Sequence, residues 1–292
     1  MRRALVSMSA VNTPSSRLVC FKDSLGVECW GAVEQGQPKC GDQVPLVANP
    51  VTLDLPGQVG DMRTISELLP ALPVSLPPSI ICVGLNYKKH AAECGMPEPE
   101  YPVIFMKNPA TLTSHGMPIR VPPCCQNPQE VDYEVELGIV IGPESCRNVS
   151  PADAMDKILG FVVANDVSAR DWQLKRGGGQ WCKGKNFDTF CPVGPVLGMK
   201  DSFDPANLQV TTRLNGQQVQ NSNTADLIFD VGEIVSFLSE GSTLLPGTLI
   251  LTGTPEGVGI GREPKLWLQD GDEVTVTVEG ISELTNTVEY EK

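Results

Sequence analysis

A short segment near the middle of the chain constrains the fold more than any other. Residues 131–137 read VDYEVEL, and the apolar run LGIVIG extends the segment to residue 142. Alternating apolar and acidic residues are typical of a strand, in which successive side chains point to opposite faces. The segment therefore predicts a strand that enters a core and carries Asp132, Glu134 and Glu136 on one face.

Two interpretations of this acidic face are open from the segment alone. A one-sided antiparallel strand commonly turns its polar face to water. Alternatively, the acids surround a cation, because like charges at this spacing repel each other unless solvent or a cation neutralises them. The apolar continuation favours the cation, since it leads the strand toward the interior. Other parts of the chain must then supply the remaining ligands.

Strands predominate in the rest of the sequence. Apolar or alternating runs predict strands at residues 80–83, 160–164, 248–252, 272–279 and 285–290, and hairpins at residues 17–46 and 210–220. In the second hairpin Asn215-Gly216 fits a two-residue turn. Helices are predicted at residues 64–69, 86–94 and 151–159 and, with apolar residues at helical spacing, at residues 227–238. No βαβ alternation persists, so the fold class is a β-rich α+β fold.

A proline-rich stretch predicts where the chain divides into two domains. The proline-rich stretch PALPVSLPPS, which ends at residue 79, indicates a linker. We expect a small amino-terminal β subdomain with its linker at residues 17–78 and a larger catalytic domain at residues 79–292. Residues 1–16 contain Arg2, Arg3 and several serines but no acid, which is typical of the start of a mitochondrial transit peptide and equally of a flexible terminus.

Charge and composition exclude several classes of partner. A formal net charge of -13 argues against nucleic acid or an anionic membrane, because both are bound through clustered lysine and arginine. No run of apolar residues is long enough to span a bilayer. The ten cysteines show no zinc-ribbon spacing, so we expect reduced thiols in the mitochondrial matrix or the cytosol. The pair Cys124-Cys125 could be redox-active, although two ordinary thiols are favoured.

Histidine is scarce, and this limits the chemistry. With two histidines in the chain, a site of three imidazoles is excluded and an oxygen-ligated metal is preferred. His90 and Glu93 in KKHAAE lie on one face of a short predicted helix. A carboxylate beside an imidazole orients the ring and raises its basicity, so the pair could move a proton, or it could be an ordinary surface pair.

Further polar residues stand where strands meet loops. Asp166 directly follows the predicted strand that ends at Asn165. Lys185 lies between glycine and aromatic residues, where it could place a positive charge near a metal. In TGTPEGVG, residues 252–259, the hydroxyl of Thr254 and backbone N–H groups could bind an anion. The lysine and spacing of a phosphate-binding loop are missing from this turn.

Five motifs occur in the order found in the fumarylacetoacetate hydrolase family, and the chain resembles that family over about residues 79–290. The motifs are VGLNYKKHAAE, VDYEVELGIVIG, ANDVSARDWQ, GKNFDTFCPVGP and LTGTPEGVG. The smaller unit before residue 79 is similar to the amino-terminal part of one subgroup. The resemblance implies a mixed β-roll, usually as a homodimer.

The resemblance also implies roles for individual residues. Those implied to ligate Mg²⁺ or Mn²⁺ are Glu134, Glu136 and Asp166, and Asp132 falls where family members vary. The implied catalytic residues are His90 and Glu93, on a mobile lid, and Lys185, beside the metal. The residues implied to contact the substrate are Arg170, Gln173 and Thr254.

The expected charge of this site favours an anionic substrate. Three carboxylates, one divalent cation, Lys185 and Arg170 sum to about +1. A small 2-oxo acid fits, because its carboxylate and keto oxygen can chelate a metal that stabilises the enolate. Among the reactions of the family, the resemblance favours oxaloacetate keto–enol tautomerase. The alternatives are an acylpyruvate or fumarylacetoacetate-type carbon–carbon bond hydrolase, an oxaloacetate decarboxylase and, in another class, a non-catalytic metal-binding dimer module.

Overall fold

A computed structural model describes residues 15–292, and strands are its main elements. In chain order the strands are β1 (Arg17–Lys22), β2 (Glu28–Ala32), β3 (Gln43–Val47), β4 (Met62–Thr64), β5 (Glu67–Leu68), β6 (Ile80–Gly84), β7 (Val103–Lys107), β8 (Leu112–Thr113), β9 (Ile119–Val121), β10 (Val131–Asp132), β11 (Val135–Ile141), β12 (Ile158–Asn165), β13 (Ser168–Ala169), β14 (Cys191–Met199), β15 (Gln209–Leu214), β16 (Gln217–Asn223), β17 (Leu249–Leu251), β18 (Glu273–Val278) and β19 (Ser282–Tyr290).

The helices are few and short, and the predicted β-rich α+β class is confirmed. The α-helices are α1 (Lys88–Glu93), α2 (Ala154–Lys157), α3 (Cys182–Lys185) and α4 (Val231–Ser239), together with a π-helical segment at Asp171–Arg176. Short 3-10 helices lie at Pro109–Thr111, Pro123–Cys125, Pro151–Asp153, Lys200–Ser202, Thr224–Asp226 and Gly259–Gly261. Between residues 15 and 292, no helix is both long enough and apolar enough to cross a bilayer. The extension predicted for residues 1–16 lies almost wholly outside the described residues.

Two sheets pack around the main core. The larger has the strand order β4-β3-β2-β1-β14-β12-β11-β17-β6-β7, with β5 beside β1 and β8 beside β14. The smaller has the order β16-β15-β18-β19-β9, and β10 and β13 form a separate pair. Alternate residues of β11, among them Val135, Leu137 and Ile139, pack in one apolar cluster with residues of the smaller sheet such as Val276 and Leu284.

The large sheet is continuous across the predicted linker. Strand β1 pairs antiparallel with β14, with Val19 opposite Val196. Leu18 and Trp30 belong to the same apolar cluster as Val193, so the amino-terminal strands share a core with the following part of the chain. The division at residue 79 stays a prediction.

Several predicted elements agree with the structure. The hairpin of β15 and β16 turns at Asn215 and Gly216, both with the positive φ that a two-residue turn of this kind requires. Helix α4 begins with a capping box in which Asp230 and Glu233 each accept a hydrogen bond from the other's backbone N–H. Helix α1 covers the central part of the predicted helix at residues 86–94.

The helix predicted at residues 64–69 is wrong. Met62–Thr64 pairs with β3, Glu67–Leu68 pairs with β1, and Ile65 between them is buried. So short a helix has little intrinsic stability, and strand pairing replaces it. The helix predicted at residues 151–159 ends early, because β12 begins at Ile158.

The segment at residues 131–137 forms two strands that are separated at residues 133–134. Strand β10 ends at Asp132 and β11 begins at Val135. Next to this break, the backbone N–H of Glu134 donates to the side chain of Asn165 at 3.0 Å, and that of Val135 donates to the side chain of Gln220 at 3.1 Å. Side chains therefore replace the neighbouring strand as hydrogen-bond partners, and the backbone polar groups stay satisfied in a buried site.

Candidate active site

Three buried carboxylates meet where β11 and β12 pair. Val135 lies opposite Asn165 in the antiparallel register, which brings Asp166, the next residue along the chain, beside Glu134. The backbone N–H of Asp166 donates to the carbonyl oxygen of Glu134 at 2.9 Å. One oxygen each from Glu134, Glu136 and Asp166 lies within 4.8 Å of the others. The structure thus brings together the three acids for which a metal role is predicted, and we call them the carboxylate triad.

Two buried cationic side chains contact one edge of this triad. Nζ of Lys185 lies 2.6 Å from Glu134 and 2.7 Å from Asp166, and Nη2 of Arg170 lies 2.7 Å from Glu134. Burial favours a neutral Glu134, but Lys185 and Arg170 outweigh that effect and lower its pKa to about 2. Glu134 is therefore ionised at neutral pH.

Glu136 has a different environment. Its side chain accepts one hydrogen bond from the backbone N–H of Gly253 at 2.6 Å, and no lysine or arginine nitrogen of residues 15–292 lies within 4 Å of its carboxylate. Burial, and then the charges of Asp166 and Glu134, raise the pKa of Glu136 well above its ordinary value. A divalent cation among these oxygens would remove that repulsion, so the donor set fits a hard, oxygen-preferring metal ion.

Lys107 is a site residue that was not predicted from the sequence. Its ammonium group is fully buried at the end of β7, with Nζ 2.6 Å from Asp166 and 3.4 Å from the carbonyl oxygen of Val167. A lysine that ends an alternating strand is usually exposed. The alternation of side chains along the strand could have indicated its burial, because Lys107 and the buried Phe105 are two residues apart and share one face of β7.

Asp132 lies outside the carboxylate triad and binds Arg170. Its carboxylate accepts hydrogen bonds from Nε of Arg170 at 2.9 Å and from the backbone N–H groups of Gly259 and Ile260 at 2.7 and 3.0 Å. Asp132 thus joins Arg170 to the turn at Gly259–Gly261. Lys107 adds one positive charge to the site and Asp132 adds one negative charge. The net charge expected for the site with a divalent cation therefore remains about +1.

His90 and Glu93 form a hydrogen-bonded dyad on α1. Nδ1 of His90 lies 3.0 Å from Glu93, whose other carboxylate oxygen accepts from the backbone N–H of Gly257 at 2.9 Å. Burial by itself lowers the pKa of His90, but hydrogen bonds with Cys94 and Glu93 outweigh it and raise the pKa to about 9. The imidazole is therefore protonated at neutral pH.

The predicted substrate-contacting residues also lie here. The side-chain oxygen of Gln173 accepts a hydrogen bond from Nη1 of Arg170 at 2.8 Å. The hydroxyl of Thr254 accepts one from Nε2 of Gln220 at 2.9 Å, and Gln220 also binds Thr212 and the backbone of Val135. Gln220 is a second contributor that sequence reasoning missed, because a glutamine in a hairpin strand is ordinarily a surface residue.

These groups surround a single cavity of about 440 Å³. Its polar lining residues include His90, Glu93, Glu134, Glu136, Arg170, Gln173, Lys185, Thr254 and Arg262. Asp166 lies behind this lining, bound to the two lysines.

Part of the cavity lining is apolar. It includes Phe105 and Trp181, whose ring centroids are 5.7 Å apart, and Leu174. A Cβ atom on Gly84 would lie 2.2 Å from the Trp181 ring, so a glycine is required for this close approach. The cavity thus joins a charged end to an apolar wall.

With one exception, the cysteines do not line the cavity. All ten cysteines, which lie between residues 20 and 191, are free thiols. The sulfur atoms of Cys124 and Cys125 are 4.0 Å apart, and burial raises the pKa of Cys125. Cys94 is the exception, because it lines the cavity beside His90.

Curated proteins and a family model resemble this chain. The family model described as fumarylacetoacetate (FAA) hydrolase C-terminal matches residues 79–289. The mitochondrial oxaloacetate tautomerase FAHD2A of Bos taurus is 46% identical over 224 residues, which are 76% of this chain and 70% of that protein. The fumarylacetoacetate hydrolase domain-containing protein 2 homolog of Dictyostelium discoideum is 46% identical over 222 residues, covering 73% of this chain and 72% of its own.

Solved structures are similar over nearly the whole chain. The fumarylacetoacetate hydrolase of Exiguobacterium antarcticum is 35% identical with a TM-score of 0.80, covering 95% of this chain and all of its own. The 5-carboxymethyl-2-hydroxymuconate delta-isomerase of Mycobacterium smegmatis is 38% identical with a TM-score of 0.77, covering 94% and 99%. The predicted family fold is confirmed, and the chain belongs to the fumarylacetoacetate hydrolase family.

Proposed function

We propose that this protein is a divalent-metal-dependent oxaloacetate keto–enol tautomerase. The observation that carries the proposal is a proton-transfer dyad, His90 and Glu93, in the same cavity as a buried carboxylate triad that has the donor set of a metal site. Relatives that are 44–46% identical are named oxaloacetate tautomerases, which supports the same activity here.

The triad would hold Mg²⁺ or Mn²⁺ through Glu134, Glu136 and Asp166. When bound, such a cation polarises the 2-oxo group and favours negative charge on its oxygen. Lys185 and Arg170 supply further positive charge at this end of the cavity, while Gln173 holds Arg170 in place and Thr254 offers a hydroxyl to the substrate carboxylate.

The dyad would exchange the proton at C3 of the substrate. In the enol-to-keto direction, protonated His90 donates to C3 while the enol hydroxyl releases its proton to water. His90 then regains a proton from water, so the reaction consumes no net proton. Glu93, which is fixed by the N–H of Gly257, keeps the imidazole oriented and stabilises its charged form.

A carbon–carbon bond hydrolase of acylpyruvates is the second candidate. The apolar wall at Phe105, Leu174 and Trp181 favours it, because oxaloacetate has no apolar tail to cover that surface. A decarboxylase would use the same groups. The dyad argues against a non-catalytic binding module, since a metal-binding module has no use for a general acid.

One assay tests the activity and separates these chemistries. Enol absorbance and pyruvate production are followed together in the Mg²⁺-loaded protein with oxaloacetate, and acetylpyruvate is tested in parallel. We expect the enol to disappear faster than pyruvate forms and faster than acetylpyruvate is cleaved, because both of those reactions break a carbon–carbon bond. Pyruvate that appears as fast as the enol disappears would instead establish a decarboxylase.

The metal role of the triad is tested by Glu136→Gln. Glutamine retains an oxygen to accept from the N–H of Gly253 but removes the charge, so Mg²⁺ binding should be lost while stability is kept or slightly increased by the relief of repulsion. Isothermal titration calorimetry and thermal unfolding are the measurements. Glu289→Gln, at an exposed position of β19, is the matched control, and unchanged Mg²⁺ affinity in Glu136→Gln would refute the assignment.

We further propose a homodimer located in mitochondria. The location is supported by the mitochondrial names of its relatives, and the dimer by the family resemblance. Imaging of fluorescent fusions with and without residues 1–16 tests the location. Light scattering coupled to size-exclusion chromatography measures the mass in solution.

A further inference from the structure

Arg262 differs from the other cationic residues that line the cavity. Arg170 and Lys185 each lie within 2.8 Å of a buried carboxylate, and His90 is bound to Glu93. The Arg262 guanidinium instead donates from Nε to the carbonyl oxygen of Gly257 at 3.1 Å and from Nη2 to that of Val219. No carboxylate oxygen between residues 15 and 292 lies within 4 Å of it.

The turn that carries Arg262 also holds the dyad. The N–H of Gly257 donates to Glu93, while the carbonyl oxygen of the same residue accepts from Arg262. A Cβ atom on Gly261 would lie 2.6 Å from the Glu93 carboxylate carbon, so this turn packs directly against Glu93. Arg262 is therefore fixed by backbone contacts on the cavity wall that carries His90 and Glu93.

The substrate needs a cation at this wall. In oxaloacetate one carboxylate is bonded to the 2-oxo carbon and the other to C3. If C3 exchanges its proton with His90, the second carboxylate, which is bonded to C3, comes within reach of the same wall. Glu93 and Glu263 also line this part of the cavity, so an additional anion would be repelled without a compensating charge.

Building on the proposed function, we infer that Arg262 binds the second carboxylate of the substrate and selects dicarboxylic 2-oxo acids over monocarboxylic ones. The guanidinium keeps donors available for a carboxylate because its carbonyl partners occupy Nε and Nη2 and do not neutralise its charge. Lys89 on the same helix as the dyad does not line the cavity, and it lies 3.9 Å from Glu256.

The test compares two substrates in Arg262→Met and Arg262→Lys. Oxaloacetate presents the second carboxylate, whereas pyruvate lacks it and reports C3 proton exchange as deuterium uptake measured by NMR. For Arg262→Met we expect kcat/KM for oxaloacetate to fall about 100-fold, mostly through KM, and the exchange rate of pyruvate to change less than about threefold. Arg262→Lys should recover part of the loss.

A binding measurement keeps the inference testable if the proposed activity fails. In Arg262→Met, calorimetry with the Mg²⁺-loaded protein should show weaker binding of malate, which carries a carboxylate on C3, and unchanged binding of oxalate, which lacks C3 and that carboxylate. Unchanged oxalate binding also shows that the variant is folded. If wild-type protein does not convert oxaloacetate, the proposed function fails, and the malate-to-oxalate comparison alone decides the role of Arg262.

Two outcomes would overturn the inference. An equal loss of kcat/KM for oxaloacetate and of the exchange rate for pyruvate would mean that Arg262 only supports the dyad. Unchanged kcat/KM for oxaloacetate together with unchanged malate binding would mean that Arg262 does not contact the second carboxylate. Arg213→Met, at an exposed position of β15 away from the cavity, removes the same charge and should behave as the wild type.

Discussion

His90 is the residue whose charge state the structure ties most directly to the proposed chemistry. Because its pKa is raised to about 9, it is the protonated, proton-donating form that predominates at neutral pH. We expect the enol-to-keto rate to be constant near neutral pH and to fall about tenfold per unit at higher pH, once His90 loses its proton. A bound cation adds positive charge nearby and should move this descending limb to lower pH. Stopped-flow enol absorbance measures it.

The control for this pH dependence is a variant that cannot titrate. His90→Asn should be slower by about 10²- to 10⁴-fold, the usual contribution of a general acid or base, and should lack the descending limb while keeping its Mg²⁺ affinity. Lys88→Asn, at an exposed position of the same helix, should keep the wild-type profile. A descending limb that persists in His90→Asn would assign the titration to another group.

Two lysines with similar ion pairs should differ greatly in their effect on stability. Lys107 lies 2.6 Å from Asp166 with both side chains fully buried, whereas Lys22 lies 2.9 Å from Glu67 with both about half exposed. Lys107→Met should lower the free energy of unfolding by about 3 kcal/mol, because the buried Asp166 loses one of its two cationic partners and only Lys185 remains beside it. Lys22→Met should cost about 1 kcal/mol or less.

Urea denaturation followed by circular dichroism measures both changes. Similar values for the two variants would show that burial does not govern the strength of these pairs.

The comparison also bears on the site, because Lys107 holds Asp166 from the side opposite the cavity. Loss of Lys107 should therefore weaken Mg²⁺ binding as well, whereas loss of Lys22 should not.

At the scale of elements, the segment that follows α1 lacks regular secondary structure. Residues 96–101 form no helix or strand and are mostly exposed. A ligand that engages His90 should order this segment. We expect the glutamate-specific protease Glu-C to cleave after Glu100 about tenfold more slowly when Mg²⁺ and oxalate are present, because cleavage requires an extended, mobile chain.

An internal reference makes this measurement specific. Glu34 lies in an exposed turn of the amino-terminal sheet, and cleavage after it should proceed at the same rate with and without the ligands. Peptide mass spectrometry resolves the two products. Equal slowing at both sites would indicate inhibition of the protease, and no slowing at Glu100 would contradict a lid that closes on the ligand.

Local patterns predicted some elements well and failed on others for physical reasons. The turn at Asn215-Gly216 and the amphipathic spacing of α4 are properties of a few consecutive residues, and both agree with the structure. The segment at residues 64–69 contains apolar Ile65 and Leu68 at helical spacing, but its conformation is decided by pairing with β1 and β3. Pairing with strands that are distant in sequence cannot be predicted from a short stretch of residues.

The same distinction applies to the candidate site. Glu134 and Glu136 are visible because acids in an otherwise buried strand are unusual, whereas the metal role of Asp166 is implied by the family resemblance. The pairing of β11 with β12 brings Asp166 to Glu134. Lys107 and Gln220 could not be found this way, because each is a common residue type at an ordinary strand position. Their role depends on contacts with Asp166 and Thr254, which are far away in sequence.

For the molecule as a whole, the shared sheet predicts that the two predicted units depend on each other. A fragment of residues 79–292 would leave one edge of β14 without β1 and expose the apolar cluster around Val193 and Leu197. Unpaired apolar edges favour aggregation. We expect this fragment to lack a cooperative thermal transition in circular dichroism and to aggregate, in contrast to the intact chain.

The opposite result would have an equally clear meaning. A fragment that unfolds cooperatively, with a sharp transition, would establish residues 79–292 as an independent domain. The complementary fragment of residues 1–78 serves as the control, because it lacks β14 and should be unfolded in either case.

The contact of Trp181 with Gly84 also provides an optical reporter of the site. The chain has four tryptophans, and in the described structure Trp181 is the one that lines the cavity. Its indole emission therefore depends on whether water or an organic anion fills the space in front of it. Replacing Trp30, Trp172 and Trp267 with phenylalanine would leave a single fluorophore, so that occupancy of the cavity could be followed by light in real time, without turnover.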